Sequence, residues 1–129
     1  MTTGTKKKFD PIPSDSYLVR MNRIEEVTTK AGTGVMLKAG FEVINGDQKG
    51  RLVFHNFLVE HTNPKAAEIG LEQLDRYLGA VGIGGGFEEL GYDRGALQNY
   101  TEIPFTAKVG IQNNEQYGDQ NKILGFDPR

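Results

Sequence analysis

From Val35 to Val43 the chain alternates with period two, Val35, Leu37, Ala39, Phe41 and Val43 on one side and Met36, Lys38, Gly40 and Glu42 on the other. Strict alternation of this kind predicts a half-buried strand, with the apolar set inward and Lys38 outward. Tyr17 to Val27 is rich enough in β-branched and aromatic residues to be the strand before it, ended by the loop Thr28–Gly34 with its two glycines. Asn45-Gly46 predicts a hairpin, because both residues tolerate the positive φ of tight turns, and Gly50 closes the connection. A third strand follows over Arg51 to Glu60. Its run from Leu52 to Val59 is apolar on both faces in places, so alternation alone does not assign its inward face.

The period then changes. Asn63 is a helix cap and Pro64 sits in the first helical position, where its missing N–H removes no hydrogen bond. Ala67, Leu71, Leu74, Leu78 and Val81 recur at spacings of four and three, an apolar stripe on one face, while Glu68, Glu72, Asp75 and Arg76 occupy the other. Gly70 inside this helix costs about 1 kcal/mol relative to alanine, which points to close packing there. Gly79 and Gly82 end the helix. Residues 82–100 read as glycine-rich and irregular, with one helical turn near Phe87 to Leu90. Phe105, Ala107, Val109 and Ile111 restore period two, Asn113 to Gln120 is a polar loop holding Tyr117, and Lys122 to Phe126 is a last short strand.

Three strands, one helix and two strands is the connectivity of the oligonucleotide/oligosaccharide-binding (OB) fold. The predicted fold is therefore mainly β, an OB-like five-stranded barrel with one helix between strands 3 and 4. A helix with a single apolar stripe needs one open face to cover, and short strands gain from closure. Residues 1–13 are expected to be a flexible basic tail carrying Lys6, Lys7 and Lys8, and residues 14–129 a single OB-like domain.

Composition narrows the chemistry. The chain of 129 residues is one domain in size, and with no cysteine it has no disulfide framework, thiolate metal site or cysteine nucleophile. No apolar run reaches the roughly 20 residues of a membrane span, and no apolar segment follows the first lysines, so neither membrane insertion nor secretion is expected, and a cytoplasmic location fits. The net charge of −2 argues against a generally basic protein, but its distribution is uneven. Residues 60–102 hold eight acidic and three basic side chains, a balance of −5, which leaves +3 for the rest. If the middle segment occupies one side, the other side is electropositive.

Catalytic constellations are weak. The two histidines, His55 and His61, are six apart without cysteine companions, so no metal site is assigned. Glu25-Glu26 and Glu88-Glu89 point to opposite sides of an extended chain, which does not cluster carboxylates for a two-metal nuclease. Gly82-Ile83-Gly84-Gly85-Gly86 follows a helix, where a phosphate loop precedes one, and lacks a Gly-Lys-Ser/Thr continuation, so it reads as a linker. No catalysis and no cofactor are expected.

Five segments carry a resemblance that covers nearly the whole chain after the lysine tail: Lys30-Ala31-Gly32-Thr33-Gly34; Phe41-Glu42-Val43-Ile44 with Lys49-Gly50-Arg51; Asn63-Pro64-Lys65-Ala66; Ala107-Lys108-Val109-Gly110-Ile111; and Tyr117-Gly118-Asp119. In this order they resemble a family of tailed-phage proteins known as domain of unknown function 669. The resemblance implies an OB-like phage protein that binds single-stranded DNA in replication or recombination. Its implied partners are single-stranded DNA and phage replication or recombination proteins, in the cytoplasm of the host cell, with an oligomer compatible.

Binding a single strand without sequence preference needs cations along the phosphates and aromatic rings for the bases. The candidates are Lys38 on the second strand; Arg51, His55 and Phe57, which share one face of the third strand; Lys30 in the first loop; Lys108 on the outer face of the fourth strand; and Tyr117 and Lys122 around the last loop. Each has a plainer reading: Phe57 as core, Tyr117 as a loop pin, and the lysines as solvated surface charge. A second class of function is an OB-like protein-interaction module that recruits a recombination or replication enzyme through the acidic helix surface.

Overall fold

The computed structural model describes residues 11–115 and 118–129. The strands are β1 (Asp15–Thr28), β2 (Gly34–Val43), β3 (Leu52–His61), β4 (Phe105–Asn114) and β5 (Gly118–Asp127). Helix α1 (Pro64–Ala80) and the single turn α2 (Gly86–Glu89) lie between β3 and β4, followed by a 3₁₀ segment, Arg94–Tyr100. The expected order of three strands, helix and two strands is present.

All five strands form one antiparallel sheet in the order β3-β2-β1-β4-β5. β1 serves two neighbours. Its first residues, Asp15–Val19, pair with β4, and Val19–Thr28 pair with β2. An irregularity between Met21 and Arg23 lets the strand bend and shifts its inward set from Val19 and Met21 to Ile24.

The sheet curls but does not close. β3 and β5 are its two edges, with no backbone ladder between them, so the hydrogen-bonded barrel expected from connectivity is not present. Side chains span the gap from inside: the rings of Phe57 on β3 and Phe126 on β5 lie 5.9 Å apart, and His55 and Phe126 5.8 Å.

α1 forms where its cap predicts. Asn63 Oδ1 accepts the Lys65 N–H at 3.1 Å, and Pro64 opens the first turn. The helix packs its apolar face onto the inner side of the sheet, but the buried set is centred slightly away from the expected stripe, on Ala67, Gly70, Leu74, Tyr77 and Leu78, with Leu71 and Val81 only half-buried. Gly70 is a close approach. A Cβ there would lie 2.0 Å from the Leu58 carbonyl oxygen, so only glycine lets the helix rest directly on the β3 backbone.

Tyr77, which the stripe of aliphatic residues does not reveal, is fully buried among Phe41, Phe105 and Phe126, and its hydroxyl donates to the Tyr100 carbonyl at 2.8 Å. That bond ties the helix to the 3₁₀ segment, whose Leu97 is also core. Residues 82–86 form a compact connection, with the Ile83 N–H donating to the Leu78 carbonyl and Ile83 itself packed on the core.

Two boundaries differ from the sequence expectation. β5 begins at Gly118, not near Lys122, because its polar residues Asp119 and Gln120 pair with Asn113 and Gln112 across a hairpin exposed to water on both faces. Ile12, assigned to the tail, is 1% exposed. Asn121 holds it there: its Oδ1 accepts the Ile12 N–H at 2.8 Å, and its Nδ2 donates to the carbonyls of Ile12 and Gly110.

Candidate nucleic-acid interface

The outer surface of β2 and β3 follows from their register. Leu37, Ala39, Phe41 and Val43 of β2 are buried, as alternation predicts, and Lys38 is exposed between them. On β3 the inward set is Val53, His55, Phe57 and Val59, and the outward set is Leu52, Phe54, Asn56 and Leu58. Phe57 and His55 therefore do not belong to the surface on which they were expected. Phe57 has 0% exposure and fills the space beneath α1, so it offers no face to a base. Both sides of this strand carry apolar residues, and the decision fell to the helix, which covers the side bearing Phe57 and Val59.

His55 sits inside the open edge. Its Nε2 lies 3.0 Å from Gln73 Oε1 on α1 and its ring packs edge-on to Phe57 at 4.8 Å. A carboxamide oxygen only accepts, so Nε2 carries the proton in this arrangement. Burial pushes the imidazole below its usual titration range, with the Gln73 hydrogen bond acting the other way. His61 is structural as well. Its Nδ1 accepts the Asn63 N–H at 2.9 Å, which leaves Nε2 to donate to Thr33 Oγ1 at 3.2 Å and ties the β1–β2 loop to the start of α1.

In place of Phe57, the aromatic side chain on the outer side of β3 is Phe54, 56% exposed. It lies opposite Gly40 of β2, which in turn lies opposite Arg23 of β1. The absence of a side chain at Gly40 matters here, because the Arg23 chain lies over it, its Cγ 3.0 Å from where a Cβ would be. The next row across the same surface is Glu25, Lys38 and Asn56. An exposed ring is thus bordered by Arg23 and Lys38, although Arg23 also meets Glu25 at 3.7 Å.

Beside this surface, the gap between the β3 and β5 edges is a cleft of ≈ 690 Å³. Arg51, Leu52, Phe54 and Asn56 line one wall and Gln112, Gln120 and Lys122 the other, with Pro11, Val53 and Asn121 beneath. The structure thus brings Arg51 and Lys122 together, with Phe54 between the cleft and the open surface. Lys38 is one strand away. Lys30, exposed in the β1–β2 loop, and Lys108, exposed on β4 opposite Ser16 and Gly125, do not line the cleft. Tyr117 and Lys6 to Lys8 lie outside the described residues.

The chain belongs to the family described as protein of unknown function (DUF669), whose profile matches residues 2–128. No curated protein matches it in sequence. Within this DUF669 chain two further arginines are committed elsewhere. Arg20 meets Glu42 at 2.9 Å and Glu102 at 3.4 Å, and Arg94 bridges Glu26 on β1 and Glu60 on β3, fastening the 3₁₀ segment to the sheet. Lys30, Lys38, Lys108 and Lys122 are exposed and form no ion pair with another described residue. Among the described residues no three His, Cys, Asp or Glu side chains converge as metal ligands, and no helix is long and apolar enough to cross a membrane.

Proposed function

We propose that this protein is a phage-type single-stranded DNA-binding protein that coats and protects strands exposed in replication or recombination, with no catalysis of its own. The observation that carries the reading is Phe54, an exposed aromatic ring on the outer β2–β3 surface, flanked by Arg23, Lys38 and Asn56 and next to a cleft bearing Arg51 and Lys122. Stacking platforms beside cations are what a sequence-tolerant single-strand binder requires.

The architecture supports the same reading as an open form of the OB barrel, in which β1 is shared between two neighbours, the helix follows the third strand, and the β2–β3 surface is the binding face of that fold. The working compartment is the cytoplasm of the host cell. Titration of a fluorescein-labelled oligothymidine by anisotropy at low salt tests the proposal. Phe54→Ala is expected to weaken binding by about 1–3 kcal/mol. No binding by the wild-type protein at low salt overturns it.

A second reading is a protein-interaction module. It is favoured by Ile69, 65% exposed on the solvent side of α1 between Glu68 and Glu72. Under that reading Ile69→Ser abolishes recruitment of a replication or recombination enzyme and leaves oligothymidine affinity as it was.

A further inference from the structure

We infer that the cleft between the β3 and β5 edges is a base-reading pocket, so that the protein discriminates among nucleobases instead of binding all single strands alike. The inference rests on the nucleic-acid reading above and names a separate site within it.

The geometry follows from strand parity. On β5, Gln120 and Lys122 are two residues apart and share the outward face; Gln120 lies directly opposite Gln112 of β4, and Lys122 opposite Gly110. On β3, Leu52, Phe54 and Asn56 share the outward face by the same rule. The two walls therefore meet as an aromatic ring and one carboxamide on one side, and two carboxamides and an ammonium on the other.

Lys122, exposed on the cleft wall and in no ion pair with another described residue, supplies positive charge that suits the phosphate of a nucleotide. The cleft's volume of ≈ 690 Å³ falls within the range of about 300–1,000 Å³ typical of small-molecule sites.

Carboxamides are the informative part. A phosphate-tracking groove needs only donors and positive charge, and lysine or arginine supplies both. Each carboxamide offers an acceptor and two donors side by side, a pattern that matches base edges and distinguishes one base from another. Asn121, the fourth amide at the cleft, is already spent on Ile12 and Gly110 and forms the base of the pocket. Asn56, Gln112 and Gln120 are exposed. A base seated against Phe54 would place its edge toward them and its phosphate toward Lys122.

Titration of the full chain with dAMP, dCMP, dGMP and dTMP, followed by the side-chain amide signals in NMR, tests this directly. The expected result is saturable shifts of the Asn56, Gln112 and Gln120 amides, with the best nucleotide saturating at a concentration at least about five-fold below the worst. The Gln112→Ala/Gln120→Ala variant, checked for an unchanged thermal midpoint, is expected to lose that difference.

Unmoved amides, or equal response to all four nucleotides, overturn the pocket. If oligothymidine still binds in that case, strand coating on the β2–β3 surface stands without it. If the nucleotides are discriminated and oligothymidine does not bind, the coating function falls and the pocket remains as a mononucleotide site.

Discussion

Phe54 and Phe57 are three residues apart in one strand and have opposite fates. The first is 56% exposed and the second 0%. Truncating a buried phenylalanine costs about 3–5 kcal/mol, whereas a surface substitution away from special features changes stability by about 0.5 kcal/mol or less. Urea denaturation is therefore expected to show Phe57→Ala strongly destabilised and Phe54→Ala close to wild type. The reverse order would reverse the register of β3. Gly70→Ala provides a second check, since the added methyl meets the Leu58 backbone, which cannot swing aside as a side chain can. It is expected to destabilise by about 1–3 kcal/mol despite alanine's better helix propensity.

At the residue scale, legibility depended on whether apolar residues lay on one side only. β2 was readable because Lys38 and Glu42 mark its wet side. β3 was not, because its tertiary partner, not its own alternation, decides which apolar side is covered. Phe54 had a signal in the sequence, its period-two relation to Leu52 and Asn56, but that signal had an equal rival in Val53, His55 and Phe57.

At the scale of elements, the helix start, the close approach at Gly70 and the order of strands were legible from caps, spacing and glycine. What escaped was long-range. The clamp between Asn121 and Ile12 joins residues 109 positions apart, and nothing in the local sequence announces it. Asn121→Ala leaves the Ile12 N–H and carbonyl without partners at a buried site, and is expected to lower stability by about 1–3 kcal/mol per orphaned group, read by thermal or chemical denaturation.

The contact between β3 and α1 adds a pH dependence. Burial depresses the folded-state pKa of His55, so the unfolded chain binds more protons than the folded one between the two values. The stabilisation is complete above about pH 6.5, the unfolded value, and is lost as pH falls through the lower folded value. Urea midpoints measured from pH 7.5 to 5 are expected to decline more steeply for the wild type than for His55→Gln. Parallel profiles would mean that His55 is not held neutral by its surroundings.

Across the whole molecule, acidic side chains gather on the helix, while the outer face of the sheet carries both signs, with Glu25 beside Arg23 and Lys38. α1, with Glu68, Glu72 and Asp75 exposed, covers the inner face, while Lys38 and Phe54 occupy the outer face of the same strands. The imbalance between residues 60–102 and the rest was visible by counting, but Glu25 and Glu42 share the outer β1–β2 rows with Arg20, Arg23 and Lys38, so that face is mixed in charge. Closure was not visible, because strand connectivity does not say whether two edges will hydrogen-bond or stop short with rings and a cleft between them.

The measurement that bears most directly on strand binding by the outer β2–β3 surface is the salt dependence of oligothymidine affinity for the wild type and Lys38→Gln. Each neutralised phosphate contributes a log–log slope of roughly −0.7 for single strands. The wild type is expected to bind at low salt with a slope of several such increments, and Lys38→Gln to weaken binding and flatten the slope by about one. Identical slopes for the two proteins, or no binding by the wild type at low salt, would contradict the placement of the DNA on that surface.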